Sequence, residues 1–400
     1  MQKFIPQEFV NKQVIEIRKV VGGERALIAV SGGVDSTTCA VLTYRALGEN
    51  LLCAMLDDAF MRTGEPERVS EILSRPPLKL PIKIIRVHER FLKALKGLRD
   101  AEEKRRAFRE TFYETLSEVA ESEGCPYLVQ GTIQADIVET VGGIKTQHNV
   151  LSQTGISPTK YYGFRIVEPL STLYKEQVRR VARFLGVPSE ISERQPFPGP
   201  GLLVRVVGEV RLDKLESVKV ATDAAEKLLA EHRPNQYFVA IIDNTETPEH
   251  PRVSHVRETT ARVLTIPTER ISVKVFRDKA TGIKSGKRHY GEIVAVKAQT
   301  ANGFIYQPPI DRLVALQTEI LRENPSLTRV FYAVQERLPK QPYVMAMRAI
   351  ETHDFLTAKA SRIPWKTFEK TAQKILQACS NVSSVYYDVT PKPPATVEME

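Results

Sequence analysis

Six consecutive residues, Ser31-Gly32-Gly33-Val34-Asp35-Ser36, place two hydroxyls, two glycines and a carboxylate between an apolar run and a helical pattern. The run Ala26-Leu27-Ile28-Ala29-Val30 reads as a buried strand, and the pattern up to Leu47 as a helix that begins at Asp35 or Ser36. A strand that turns through two glycines into a helix directs several backbone N–H groups into one space, which suits a phosphate. Glycine lets the backbone approach the anion with no Cβ between them. The run is not a Walker loop, because the G-x-x-x-x-G-K-[ST] spacing and its lysine are missing.

The rest of the composition narrows the class. Four hundred residues suggest two or three domains, and 42% hydrophobic with 26% charged residues is ordinary for a globular protein. No apolar run approaches the roughly 18–20 residues needed to span a bilayer, and the start Met1-Gln-Lys-Phe-Ile-Pro is no signal peptide. The expectation is a soluble cytoplasmic enzyme with no membrane partner. Cys39, Cys53, Cys125 and Cys379 are isolated, which argues against disulfides and against a zinc or sulfur-relay site. Cys39 and Cys53 lie in apolar patterns and read as core residues. The seven histidines form no H-x-x-x-H pair. Basic residues concentrate at Lys104-Arg105-Arg106, Arg179-Arg180 and Lys284 to Arg288 within a net charge of +9. A nucleotide site accounts for one or two such clusters, and nucleic acid is not expected as a partner.

The elements that must carry the loop alternate. Apolar segments at 26–30, 51–56, 82–87 and 127–130 read as strands, with helical patterns at 36–47, 66–75 and 103–122. Such alternation implies a parallel sheet covered on both faces, with ligands beyond the C-terminal strand ends. Ser31–Ser36, Asp57-Asp58 and Gln130-Gly131-Thr132 each follow a strand, so one cleft can collect all three.

The loop resembles the pyrophosphate loop of the ATP pyrophosphatases, which cleave ATP between its α and β phosphates and transfer AMP to a substrate oxygen. Four stretches extend the resemblance to the synthetase part of the GMP synthase family, which aminates XMP. They are the opening from Phe4-Ile5 through Ser36; Gln130–Glu139 with Ile144-Lys145-Thr146-Gln147-His148-Asn149-Val150; Pro196-Phe197-Pro198-Gly199-Pro200-Gly201-Leu202 with Arg205–Glu209; and the end Lys392-Pro393-Pro394-Ala395-Thr396-Val397-Glu398-Met399-Glu400. Read on its own, the proline run is a rigid connector, since its prolines fix φ and remove N–H donors.

The resemblance implies an α/β, parallel-sheet ATP pyrophosphatase domain of the adenine-nucleotide α-hydrolase type over 1–200. An α+β C-terminal domain with an internal repeat follows over 201–400. It further implies ATP and Mg²⁺ as cofactors, with ATP held by Ser31, Gly32, Gly33, Val34, Asp35, Ser36, Asp57 and Gly131, and Mg²⁺ by Asp35. One Asp in a phosphate loop suits an ion that completes its shell with phosphate oxygens and water. Asp35 and Lys145 are the implied catalytic residues, Lys145 neutralising the α-phosphate during adenylyl transfer. XMP would meet Arg105, Pro198, Gly199, Gln236, Lys392, Val397 and Glu398.

Some positions differ from the family's pattern. Its paired histidines stand here as Gln147-His148, the histidine before Pro-Phe-Pro as Gln195, its Asp-Asn-Gly as Asp57-Asp58-Ala59, and its Gly-Gly-Leu as Leu151-Ser152-Gln153-Thr154. A paralogue that adenylylates another nucleotide or tRNA, and a catalytically silent nucleotide-binding regulator, are the alternative readings. The chain starts where the synthetase module starts, so ammonia is expected from a separate glutaminase subunit or from solution.

Within the second half, Ile293-Val-Ala-Val-Lys297-Ala298 parallels Val344-Met-Ala-Met-Arg348-Ala349, and Arg329-Val-Phe-Tyr332 parallels Ser384-Val-Tyr-Tyr387. Each pair brackets a helical segment, giving two strand–helix–strand units. The family's short members dimerise through one such domain and some longer members hold an inserted copy. Residues 245–340 are expected to be that copy and to favour a monomer over a homodimer.

Overall fold

The computed structural model describes residues 4–141, 158–352 and 356–400. They divide into two compact units: residues up to Ala94 with Arg106–Gly199, and Leu95–Arg105 with Pro200–Glu400. Among the described residues no helix is long and apolar enough to cross a membrane.

The first unit is built on β1 (Ala26–Ala29), β2 (Leu51–Asp57), β3 (Ile82–Arg86), β4 (Tyr127–Val129) and β5 (Arg165–Val167). Their order is β3-β2-β1-β4-β5 and every pair is parallel. Side chains alternate between two cores, as a sheet covered on both faces requires. Ala26, Ile28, Cys53 and Met55 pack with helices Pro6–Val21, Val34–Leu47 and Lys175–Leu185, while Leu27, Ala54, Leu56 and Leu128 pack with helix Ala101–Ser122. The chain moves outward from β1 to β2 and β3, then crosses to β4 and β5. The reversal lies between β1 and β4, the crevice where such sheets bind ligands.

The second unit carries β6 (Gln236–Asp243), β7 (Ile271–Lys284), β8 (Lys287–Ala298), β9 (Leu327–Glu336), β10 (Tyr343–Glu351), the short β11 (Lys359–Ala360) and β12 (Val382–Asp388). The long strands run β6-β10-β12-β9-β8-β7, with successive pairs antiparallel, parallel, antiparallel, parallel, antiparallel. That sequence reads the same from either end. Helix Leu212–Leu229, β6, β10, helix Trp365–Ala378 and β12 form one lobe. Helix Arg252–Leu264, β7, β8, helix Ile310–Glu323 and β9 form a second lobe of the same order, lying in sequence between β6 and β10. Phe368 of the helix Trp365–Ala378 packs on Tyr387 with ring centres 4.2 Å apart, so one sheet face is helix-covered. On the opposite face Phe238, Ala346, Phe331 and Tyr386 share a core with Met399.

The C-terminal segment is therefore part of the fold. Thr281 donates to the Met399 carbonyl at 2.8 Å, Ile283 to that of Pro394 at 2.6 Å, and Glu400 donates to Val204 at 3.1 Å. A Cβ at Gly282 would stand 2.7 Å from the Pro394 carbonyl oxygen, so only glycine admits the segment there. Lys104, part of the basic run Lys104-Arg105-Arg106, is only 1% exposed. Its ammonium pairs with Glu400 and donates to the carbonyls of Val206 and Gly208 at 2.7 and 2.8 Å.

Arg329 and Arg348 are fully buried, and both bind Asp388 Oδ2, at 3.1 and 2.7 Å. Burial, and then the Arg348 charge, push the Arg329 guanidinium down to about 9, against the pull of Asp388. Replacing Asp388 with Asn strands two buried cations. The expected loss is about 3–5 kcal/mol in denaturant-induced unfolding of the second unit, read from its transition midpoint.

Candidate active site

In the first unit the phosphate loop follows β1 directly. Gly32 takes φ 75°, and a Cβ there would stand 2.8 Å from Val69 Cγ2, so glycine is required for both conformation and space. The helix opens at Val34, a residue earlier than expected, with Gly33 extended at ψ 155°. Ser36 Oγ accepts from Ser31 N at 3.2 Å and lies 3.0 Å from Ser31 Oγ, which closes the loop on itself. The first N–H groups of the 14-residue helix Val34–Leu47 have no intrahelical partner and point out of this turn.

Gly131 meets the loop from β4. A Cβ on it would lie 3.0 Å from both Asp35 C and Ser36 N, so the end of β4 can abut the helix start only as glycine. Cys39 Sγ donates to the Gln130 carbonyl at 3.4 Å, tying the same two elements together. Burial pushes the Cys39 and Cys53 thiols up, to about 12 for Cys53, which keeps both as inert core groups.

Asp35 has an unforeseen partner. Lys175, at the start of helix Lys175–Leu185, donates to Asp35 Oδ2 at 2.5 Å. Asp35 Oδ1 is buried and has no hydrogen-bond partner among the described residues. One anionic oxygen neutralised and the other open is a donor that fits a magnesium ion sharing its shell with phosphate. Among the described residues no three His, Cys, Asp or Glu side chains converge as a preformed cage. Lys175 is the functional candidate that sequence reading misses, and its one signal is a cation at the first position of an amphipathic helix that follows β5.

The loop after β2 reads Asp57-Asp58-Ala59. His88 Nε2 lies 2.6 Å from Asp57 Oδ1. Ala59 takes φ 77°, the left-handed conformation that glycine adopts without strain. Asp58 accepts from Phe60 N at 2.8 Å, and burial, with the Asp57 charge adding, raises its carboxyl to about 7. The proline run that follows residue 195 is held by Arg62, whose guanidinium sits 4.1 Å from the Phe197 ring centre. Pro198 and Gly199 belong to this unit. Lys145, Gln147 and His148 lie outside the described residues.

In the second unit the structure brings Gln236, Val397 and Glu398 together. Gln236 Nε2 donates to Glu398 Oε1 at 2.7 Å. Arg205, fully buried and 4.4 Å over the Phe238 ring, grips the same carboxylate with Nε and Nη2 at 2.9 and 3.1 Å. Arg348 Nε donates to the Val397 carbonyl at 2.9 Å. Lys392 enters through its backbone, which exchanges two hydrogen bonds with Ala358 at 2.8 and 3.0 Å. Arg105 shares the Glu102 carboxylate with Arg288 at 3.0 and 2.6 Å, and burial followed by the Arg288 charge lowers its guanidinium. Sequence reading also misses Arg205, Arg329 and Arg348 as site residues, although charges inside otherwise apolar strand patterns are a visible signal for the last two.

A parallel sheet whose reversal point carries a two-glycine loop at a helix start defines a nucleotide-binding domain of the PP-loop class. Residues 6–189 match the PP-loop domain family, and residues 337–399 match the GMP synthase C terminal domain. A subunit of the glutamine-hydrolysing GMP synthase from Sulfurisphaera tokodaii is 41% identical over 99% of this chain and 100% of its own length. Subunits of the same name from Saccharolobus solfataricus and Methanopyrus kandleri are 42% and 37% identical over the same shares. The chain belongs to this family of GMP synthase subunits. Among solved structures, an NH3-dependent NAD synthetase from Campylobacter jejuni aligns with 50% of this chain and 81% of its own, at 18% identity and a TM-score of 0.38.

Because the folded state favours protonated Asp58, its contribution to stability is full below the ordinary carboxylate range and is lost as pH rises toward about 7. Asp58→Asn therefore leaves stability near pH 4 unchanged and raises it at pH 8. The difference grows by about 1.4 kcal/mol per pH unit between the ordinary carboxylate range and about pH 7 and levels off above it, measured by urea unfolding at several pH values.

Proposed function

We propose that this protein is an ATP-dependent XMP-aminating ligase that forms GMP through an adenyl-XMP intermediate and releases AMP and pyrophosphate. The observation that carries the reading is the pairing, in one chain, of a phosphate loop with a C-terminal nucleotide cluster. Full-length kinship with the subunits of glutamine-hydrolysing GMP synthases supports it. Ammonia comes from a separate glutaminase subunit, in keeping with the glutamine-hydrolysing name of the relatives. The four buried free thiols suit a reducing compartment, and we place the enzyme in the cytoplasm.

Ser31, Gly32, Gly33, Val34 and Ser36 hold the β and γ phosphates of ATP through backbone N–H groups and hydroxyls, with Asp57 and Gly131 bordering the nucleotide. Asp35 would hold Mg²⁺ through its open oxygen, and the ion when bound supplies positive charge to the phosphate oxygens. Lys175 adds a second cation beside Asp35 and stabilises the departing pyrophosphate, while Lys145 covers the α-phosphate. Arg105, Gln236, Lys392, Val397 and Glu398 hold XMP, whose 2-oxygen attacks the α-phosphorus as the bond to pyrophosphate breaks. Ammonia then adds at C2, loses a proton, and AMP leaves with that oxygen. The residues contribute alignment and charge, since the substrates supply all the reacting atoms.

The test is AMP and pyrophosphate release from Mg-ATP with ammonium chloride, comparing XMP with IMP, UMP and no acceptor. Release that depends on XMP, with GMP as product, is expected. Release with another acceptor, or ATP binding without turnover, overturns the reading in favour of a paralogue or a silent binder. In the same assay Lys175→Ala is expected to lower kcat on the order of 10²-fold, the scale of one lost charge-stabilising donor.

We also propose that residues 245–340 are an inserted copy of the C-terminal domain and that the chain is a monomer. The two lobes of like order on either side of the β9–β12 junction support this, since the second lobe occupies the sheet edge a partner chain would use. Light scattering is expected to give the mass of one chain at micromolar concentration, and a stable dimer overturns the proposal.

A further inference from the structure

The two lobes are joined at the antiparallel pair β9–β12, where Tyr332 lies opposite Tyr387. These residues hold the same place in the two sequence repeats, so a local twofold axis passes between them. In that correspondence Arg329 answers to Ser384, Arg348 to Lys297, and Asp388 to Ala333. The clamp of two guanidiniums on one carboxylate thus exists once. The twofold-related place holds Lys297, Ser384 and Tyr386 around a cavity of about 280 Å³. The clamp is also shared between lobes: Arg348 and Asp388 come from β10 and β12, and Arg329 comes from β9 of the inserted segment.

What the clamp holds is the backbone of the C-terminal segment. Arg329 Nη2 donates to Thr396 Oγ1 at 2.9 Å, to the Thr281 carbonyl at 3.2 Å, and to the Glu398 carbonyl. Arg348 donates to the carbonyls of Thr390, Val397 and Thr396 at 2.9, 2.9 and 3.1 Å. Thr396 Oγ1 lies 2.6 Å from the Glu398 carbonyl oxygen. Each peptide from Thr396 to Glu398 is therefore fixed by a buried side chain, leaving the Glu398 carboxylate aimed at Gln236 and Arg205.

We infer that Arg329 is a positioning residue for XMP binding, a cation that the inserted lobe brings to the C-terminal segment and that the repeat-related Ser384 would not supply. The inference rests on the proposed role of Val397 and Glu398 in holding XMP. Arg329 touches no substrate; it sets the backbone that presents those two residues.

The experiment uses the full chain with ammonium chloride as nitrogen source, and measures KM for XMP and for ATP separately. Wild-type turnover with XMP is checked first, and its absence removes the functional reading independently of Arg329. Arg329→Ala is expected to raise KM for XMP at least tenfold and leave KM for ATP within twofold, with millimolar guanidinium restoring part of the loss. Adding Arg329→Ala to Glu398→Ala is expected to raise KM for XMP no further. Should Arg329→Ala fail to fold, Thr396→Val, which removes only the hydroxyl that Arg329 holds, is expected to raise KM for XMP in the same selective way. An unchanged KM for XMP in a folded variant, an equal rise in both KM values, or additive effects with Glu398→Ala would each overturn the inference.

Discussion

The second unit depends on one carboxylate. Asp388 lies at the end of β12 with no exposure, and two arginines from neighbouring strands converge on its Oδ2. Burying three charges is costly unless every proton and lone pair finds a partner. Here most of them do, because Arg329 Nη2 and the Nε and Nη groups of Arg348 turn to carbonyls of the C-terminal segment, although Arg329 Nε has no partner among the described residues. The charge cluster and the segment therefore require each other. Without the segment the guanidiniums would face an apolar core, and without the guanidiniums the segment would be an ordinary fraying terminus.

The first unit solves its problem with backbone. Gly32 and Gly131 are placed where a Cβ would strike a neighbour, and the helix Val34–Leu47 supplies N–H groups fixed by its own geometry. A phosphate loop of this kind tolerates changes in surrounding side chains but not in its glycines. The cluster of Arg205, Gln236 and Glu398 in the second unit is the reverse, since it is held by side chains fixed through burial and mutual hydrogen bonds. The two halves of the chemistry thus face different constraints, one on φ and space, the other on charge and packing.

Much of this is legible in the sequence. Strands covered on both faces are continuous apolar runs, so β1 to β4 can be placed within a residue or so, whereas the edge strand β5 opens on an exposed Arg165 and keeps only two half-buried apolar residues, too little pattern to read. The repeat in residues 270–400 is visible because matching apolar strands recur around matching helices. The pairings that matter most are not legible. Lys175 meets Asp35 across 140 residues, Arg205 meets Glu398 across 193, and Lys104 meets Glu400 inside the protein although its sequence neighbours suggest a basic surface. Sequence spacing records which face of an element a residue occupies, and contacts between distant elements depend on topology that a single chain does not spell out.

The altered loop after β2 shows how chemistry can survive substitution. Glycine at position 59 would reach a left-handed φ freely, and Ala59 reaches it with strain, at a cost of about 1 kcal/mol carried by the surrounding packing. An amide at position 58 would be neutral and accept from Phe60 N. Asp58 accepts the same bond, and burial raises its carboxyl until much of it is protonated at neutral pH, so the position stays nearly neutral as well. Position 59 thus holds a left-handed backbone and position 58 less than a full charge at neutral pH. An imidazole exchanged for an amide, as the resemblance has it at Gln195, is a change of another kind, because it removes a titratable group that neither burial nor backbone strain can restore.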